Sequence, residues 1–128
     1  MKAILDTRTF LWWNIDDAQL SQAARDFISD GRNEVFLSAA SAWEIANKYA
    51  RGRLALPELP RLYVAQRMSQ HRFKPLPVEI SHALHVSDLP VIHQDPFDRL
   101  LISQSLLEDI PLLTVDVTIA QYGVAIIW

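Results

Sequence analysis

Four acidic residues, Asp6, Glu44, Asp98 and Asp116, each fall where a helix or strand changes over. Asp6 follows the apolar run Lys2-Ala3-Ile4-Leu5, and Asp116 follows Leu112-Leu113-Thr114 after one intervening residue. Glu44 lies in the helical stretch after Glu34-Val35-Phe36-Leu37-Ser38, and Asp98 lies at the start of the helical stretch opened by Pro96. In an α/β unit a helix runs antiparallel to the strand that follows it, so the helix start and the strand end share one edge of the sheet. All four acids are therefore expected at the carboxyl edge, where open α/β folds bind ligands. Asp95 is close enough to assist. Each acid alone has an ordinary structural role as a cap or first-turn residue; their convergence has none. Carboxylates packed together repel and raise one another's pKa. A hard divalent cation resolves that conflict, and an oxygen-only donor set suits Mg²⁺ or Mn²⁺ over Zn²⁺. Such a site activates water and stabilises in-line displacement at phosphorus.

The elements that must hold these acids can be read in order. Lys2–Leu5 is expected to be the first, central strand, and Phe10 to Trp13 a short helix. Ser21 caps a second helix, with Ala23, Ala24, Phe27 and Ile28 at helical spacing. Asp30-Gly31-Arg32-Asn33 makes a turn into the second strand, Glu34–Ser38. Ser41 and Glu44 form the pattern of a capping box for the next helix, which ends at Gly52. Residues 61–70 make a helix. The segment from Phe73 to Val78 is an edge strand, because two prolines cannot sit in a central one. A short helix over 79–86 follows. Asp95 then caps the helix that begins at Pro96, where the missing N–H costs nothing. Its residues Phe97, Leu100, Leu101, Ile102, Leu106 and Leu107 leave almost no polar side, which predicts a largely buried helix ended by Ile110-Pro111. A helical turn over 117–122 and a last strand over 124–128 close the sheet. Strands and helices alternate from end to end, so the expected fold is a three-layer α/β/α sandwich with a central, mainly parallel sheet, in one domain over 1–128.

The totals agree with that fold and exclude several functions. A chain of 128 residues, half of them hydrophobic, can bury a real core and is not disordered. It has no cysteine, which removes disulfides and thiolate metal sites. No apolar run can span a bilayer and no secretory leader is recognisable, so a cytoplasmic protein without a membrane partner is expected. The net charge of −3 does not mark a nucleic-acid binder, but bound cations invert the local field around clustered acids. A phosphoaspartyl phosphatase needs a second acid two positions after the first, and Arg8 stands there. A phospho-accepting receiver domain needs a late lysine, and none follows Lys74.

Lys48, Arg51 and Arg53 cluster just after Glu44 and can either track a phosphate backbone or serve as a solvated helix end. Lys48 is also spaced to pair with Glu44. Arg99 can salt-bridge Asp98 or contact phosphate. His82 and His85 lack a third ligand nearby in sequence and are expected to pack. His93 is expected to order the loop before the acid run. Trp12, Trp13 and Trp43 are core residues or part of a groove for an amphipathic partner helix.

With those residues in place, the chain resembles the PIN domain, and within it the VapC-like toxin ribonucleases of bacterial toxin–antitoxin pairs. The resemblance is carried by Ile4-Leu5-Asp6-Thr7, Leu37-Ser38-Ala39-Ala40-Ser41-Ala42-Trp43-Glu44-Ile45, Gly52-Arg53-Leu54, His93-Gln94-Asp95-Pro96-Phe97-Asp98-Arg99 and Leu112-Leu113-Thr114-Val115-Asp116. It implies an Mg²⁺- or Mn²⁺-dependent endoribonuclease. Asp6, Glu44 and Asp98 match the three core acids, and Asp116 matches the fourth; Asp95, Arg8, Lys48 and Arg99 are auxiliary candidates. The resemblance further implies an RNA substrate, a homodimer and a protein antitoxin that fills a hydrophobic groove. Two positions depart from the pattern: Arg8 stands where this branch commonly has His, and Val115 where a basic or small residue is frequent. Neither removes a metal ligand. The alternative function is a catalytically inactive PIN-like module that binds RNA or a partner.

Overall fold

The computed structural model describes residues 1–128. Its sheet has five strands: β1 (Lys2–Leu5), β2 (Glu34–Ser38), β3 (Lys74–Leu76), β4 (Leu112–Leu113) and β5 (Ile126–Ile127). Their spatial order is β3-β2-β1-β4-β5 and every pairing is parallel. β1 is central, as expected: Ala3, Ile4 and Leu5 have no solvent exposure, which is why the strand is an unbroken apolar run. The proline-bearing β3 lies at an edge. Leu5 is in register with both Leu37 and Leu113, so the chain leaves β1, β2 and β4 at one common edge.

The pleat sends alternate residues to two cores. Ala3, Leu5, Leu37 and Leu113 join Phe10, Ile45 and Tyr63 on one face, where α1 (Thr7–Asn14), α2 (Gln22–Ser29) and α4 (Pro60–His71) pack. Ile4 and Leu112 join Leu101, Ile102, Ile119 and Tyr122 on the other, beneath α6 (Pro96–Glu108). α3 (Ala39–Ala50) supplies Ile45 to the first core and Ala40 to the second. The short α5 (Ile80–His85) runs into a 3-10 turn at Val86–Asp88, and a second 3-10 helix covers Val117–Tyr122. Helices on both faces of a parallel sheet give the expected three layers. No helix is long and apolar enough to cross a membrane.

Two local expectations are corrected. α3 starts at Ala39, and its cap is Ser38, whose Oγ accepts from the Ala40 N–H at 3.0 Å. Ser41 therefore caps nothing; it lies inside the helix, fully buried. β2 runs straight into α3 without a loop, so the cap had to be the last strand residue. α6 starts where expected, with Asp95 accepting from the Phe97 and Asp98 N–H groups, and ends at Asp109 in the left-handed conformation (φ 54°). Its buried face, however, is partly polar. Ser103, Gln104 and Ser105 are buried, while Leu107 is exposed. Each polar group has found a partner: Ser103 donates to the His82 carbonyl at 2.7 Å, Gln104 accepts from Ser38 Oγ at 2.5 Å and donates to the Pro77 carbonyl at 3.1 Å, and Ser105 donates to the nearby Ile110 carbonyl at 2.5 Å. Buried polar groups so satisfied cost little.

Candidate active site

Asp6, Glu44, Asp98 and Asp116 line one cavity of about 270 Å³, at the carboxyl edge of the sheet. No hydrophobic residue lines it. Asp6 arrives at the end of β1 and caps α1, its Oδ1 accepting from the Thr9 N–H at 2.7 Å. Its own N–H donates to the Leu113 carbonyl at 3.1 Å, and Thr9 Oγ1 donates to the same carbonyl at 2.9 Å. These bonds tie the end of β1 to the end of β4, and hence Asp6 to the segment that bears Asp116.

Glu44 comes from the second turn of α3 and is 5% exposed. Thr7 Oγ1 donates to its Oε1 at 2.6 Å, and Lys48 Nζ pairs with its Oε2 one helical turn on. Ser41 Oγ lies 3.0 Å from Thr7 Oγ1, so the serine expected to be a cap instead completes a buried hydroxyl pair beside Glu44. Thr7→Val keeps the volume and deletes the hydroxyl. The expected loss is about 1–3 kcal/mol of stability, because a buried carboxylate oxygen loses its donor. Urea unfolding at pH 7 reads it, and an unchanged midpoint would show that Glu44 does not depend on Thr7.

Asp98 and Asp116 face each other across His93. His93 Nε2 is 2.9 Å from Asp116 Oδ2 and 3.3 Å from Asp98 Oδ2. Burial pushes the Asp98 carboxyl up to about 7; Asp95, Glu44 and Asp6 add to the rise, and His93 works against it. Burial also acts to raise Asp116. The hydroxyl and N–H of Thr118, together with His93, outweigh it and hold this carboxyl below its ordinary value. The two acids that share a histidine are thus pushed in opposite directions, and Asp98 is the one that senses the crowded negative charge.

The auxiliary candidates divide. Asp95, Arg8 and Lys48 line the cavity. Arg8 is exposed at its mouth, its guanidinium 5.7 Å from the centre of the Trp12 ring. Arg99 turns to backbone instead, donating to the carbonyls of Pro90 at 2.9 Å and Val86 at 3.0 Å. It holds the loop before α6 and makes no salt bridge with Asp98. Arg51 and Arg53 are exposed beyond the end of α3. His82 and His85 pack, His82 bonding Glu108 at 2.8 Å and His85 bonding Ser103 at 3.1 Å. Trp12 and Trp13 are half-buried against the first core, whereas Trp43 is 62% exposed and meets Phe97 edge-on at 5.0 Å. The residue that sequence reasoning placed too far from the chemistry is His93. Its position five residues before Asp98, ahead of the helix cap, was the available signal; its contact with Asp116 depends on the tertiary fold.

The donor set fits a hard divalent cation. Carboxylates from four separate elements converge on a cavity without apolar lining, and the Asp98 carboxyl is raised first by burial and further by the acids around it. A group of ligand-type atoms from His93, Asp98 and Asp116 lies within 4.8 Å.

The chain is similar to several known proteins. The family model described as PIN domain matches residues 3–125. Ribonuclease VapC16 of Mycobacterium tuberculosis is 46% identical over 61 residues, a stretch that covers 48% of this chain and 43% of that protein. The matched region is thus less than half the length of that relative. Among solved structures, VapBC2 from Rickettsia felis bound to a DNA fragment from their promoter superposes with a TM-score of 0.71 at 12% identity, covering 98% of this chain and 97% of that one. FitAB bound to IR36 DNA fragment gives 0.64 at 17% identity, covering 98% and 93%. FitAcB from Neisseria gonorrhoeae gives 0.64 at 17% identity, covering 98% and 96%. At these identities the likeness is one of fold.

Proposed function

The chain belongs to the PIN domain family, and from that premise we propose that it is a divalent-metal-dependent endoribonuclease, the toxin of a toxin–antitoxin pair. The observation that carries this reading is the single polar cavity into which Asp6, Glu44, Asp98 and Asp116 converge. The partial match to a ribonuclease supports RNA as the substrate. These four acids are the proposed ligands for Mg²⁺ or Mn²⁺. A bound cation there supplies charge neutralisation at the phosphoryl oxygens and lowers the pKa of a water.

The chain's own residues do the rest. Thr7 orients Glu44 by hydrogen bonding, and Lys48 limits the net charge beside it. Arg8 and Lys48 offer the cavity's positive groups to a phosphodiester, which positions the strand without reading its sequence. Unpaired loops are the proposed target, because their bases can be splayed out and read. An apolar groove supports the antitoxin assignment. It is formed by two adjoining hollows of about 360 Å³ each along α3 and α4, which share Ala42 and Met68. An amphipathic antitoxin helix is the proposed occupant. A homodimer in the cytoplasm completes the reading.

The test is cleavage of a structured RNA pool by the purified chain with Mg²⁺, with Mn²⁺ and with chelator. Cutting is expected with either metal and absent with chelator. No cutting under any condition, after any co-purified partner has been stripped, would leave the chain as a binding module only.

A further inference from the structure

We propose that His93 is a positioning residue that keeps the place of the cation: its Nε2–H donates to Asp116 and stands beside Asp98 in the metal-free protein, and it sets metal affinity without ever being a ligand. This rests on the metal-site reading above and extends it to a residue outside the acidic set.

The tautomer is settled by the other ring nitrogen. The Asp95 N–H donates to His93 Nδ1 at 3.2 Å, so Nδ1 carries the lone pair and the ring proton of a neutral imidazole sits on Nε2. That N–H lies 2.9 Å from Asp116 Oδ2 and 3.3 Å from Asp98 Oδ2. For Nε2 to coordinate a cation, the proton would have to move to Nδ1. There it would meet the Asp95 N–H, donor against donor. The backbone that carries the ring is anchored at this position. The backbone N–H of His93 donates to Tyr122 Oη at 2.6 Å, and that of Ile92 donates to the same oxygen at 3.2 Å. Arg99 holds the carbonyls of Val86 and Pro90 in the same loop. The three close ligand-type atoms are therefore an acid, a donor and an acid.

The energetic consequence has a definite sign. Without metal, the His93 donor offsets part of the repulsion between two carboxylates turned to one point. A cation takes over that task, so the donor's stabilisation belongs to the metal-free state and opposes binding. Removing it raises the free energy of the empty site more than that of the loaded one.

Titration calorimetry with Mn²⁺ at one pH, on the wild type, His93→Ala and His93→Gln, measures this. His93→Ala is expected to bind Mn²⁺ roughly three- to tenfold more tightly, the net scale of one ordinary hydrogen bond, since the loaded site keeps part of the donor's benefit. The glutamine amide can reach the Nε2 position, so His93→Gln is expected to return to near wild-type affinity. Weaker binding by His93→Ala would make His93 a ligand, and unchanged binding would make it a loop residue only; either overturns the proposal while the metal site stands. A wild type that binds no Mn²⁺ removes the metal-site reading and this proposal together. A second measurement needs no variant. ¹⁵N NMR of the imidazole should show the Nε2–H form before Mg²⁺ and again after it, and a switch to the Nδ1–H form on adding Mg²⁺ refutes the assignment even if His93→Ala fails to fold.

Discussion

Asp98→Asn is expected to abolish metal-dependent cleavage and yet to make the metal-free protein more stable above pH 7. The first effect follows from deleting a proposed ligand, and on the scale of several kcal/mol of lost charge stabilisation it amounts to roughly a thousandfold in rate. The second follows from the raised pKa. Burial lifts the Asp98 carboxyl from 3.8 to about 7, so between those values the folded chain binds a proton that the unfolded chain has released. Stability then falls as pH rises through that window, and the full penalty is present above it. At 1.36 kcal/mol per unit the ceiling is roughly 4 kcal/mol, and about 2–3 kcal/mol is the working figure for a group that keeps some contact with solvent. Asparagine carries no charge to repel, so the penalty disappears. Urea unfolding in chelator at pH 8 should show the variant ahead of the wild type, with the gap closing near pH 4. Wild-type cleavage by the variant would refute the site. A gap that is absent or independent of pH would refute the account of a buried carboxyl among other acids.

Arg99→Ala is expected to lower stability by about 3 kcal/mol and to reduce cleavage as well. Its guanidinium reaches the carbonyls of Val86 and Pro90 at 3.0 and 2.9 Å, and Tyr122 Oη lies within 3.4 Å of it. Truncation leaves those carbonyls without their donor and frees the loop that carries His93 and leads to Asp95. The same loop orders the cavity, so activity falls with it. Arg99→Lys keeps the charge but not the planar fork and should recover only a minor part of the loss. Thermal unfolding gives the stability, and amide hydrogen exchange at Ile92 and His93, both bonded to Tyr122 Oη, reports the loop directly. Wild-type protection at those amides in Arg99→Ala would show that Tyr122 alone suffices.

What was legible in the chain was its local chemistry. The apolar runs at Lys2–Leu5 and Leu112–Leu113 mark strands buried on both faces. The prolines at 75 and 77 put their strand at an edge, and Asp95-Pro96 marks a helix start. Topological reasoning on strand ends then brought four acids together. The interactions that were not legible all join residues far apart in sequence. Ser41 matched a capping box by spacing, but its surroundings are set by Thr7, 34 positions away. Ser103 and Gln104 are buried on the helix expected to be almost wholly apolar because Ser38 and the carbonyls of Pro77 and His82 supply their partners. His93 meets Asp116 across 23 positions, and Arg99 looked like a partner for its neighbour Asp98 while its actual partners are main-chain carbonyls.

Translation meets the strands in an order that differs from their order in space. β1 and β2 can pair as soon as residue 38 is made, but the other side of β1 stays open until Leu112 and Leu113 arrive. A nascent chain that stops short of α6 holds Asp6 and Glu44 and lacks both of their counterparts. The backbone bonds from Ile4 and Asp6 to residues 111 and 113 can form only once β4 is made, and with Thr9 Oγ1 on the Leu113 carbonyl they help to bring the two halves of the cavity into register. Under the proposed function, a nascent chain is therefore without a complete site until β4 has emerged and joined β1. The cost is an unpaired central strand edge exposed for most of that time, which makes chains interrupted before β4 the ones prone to aggregate.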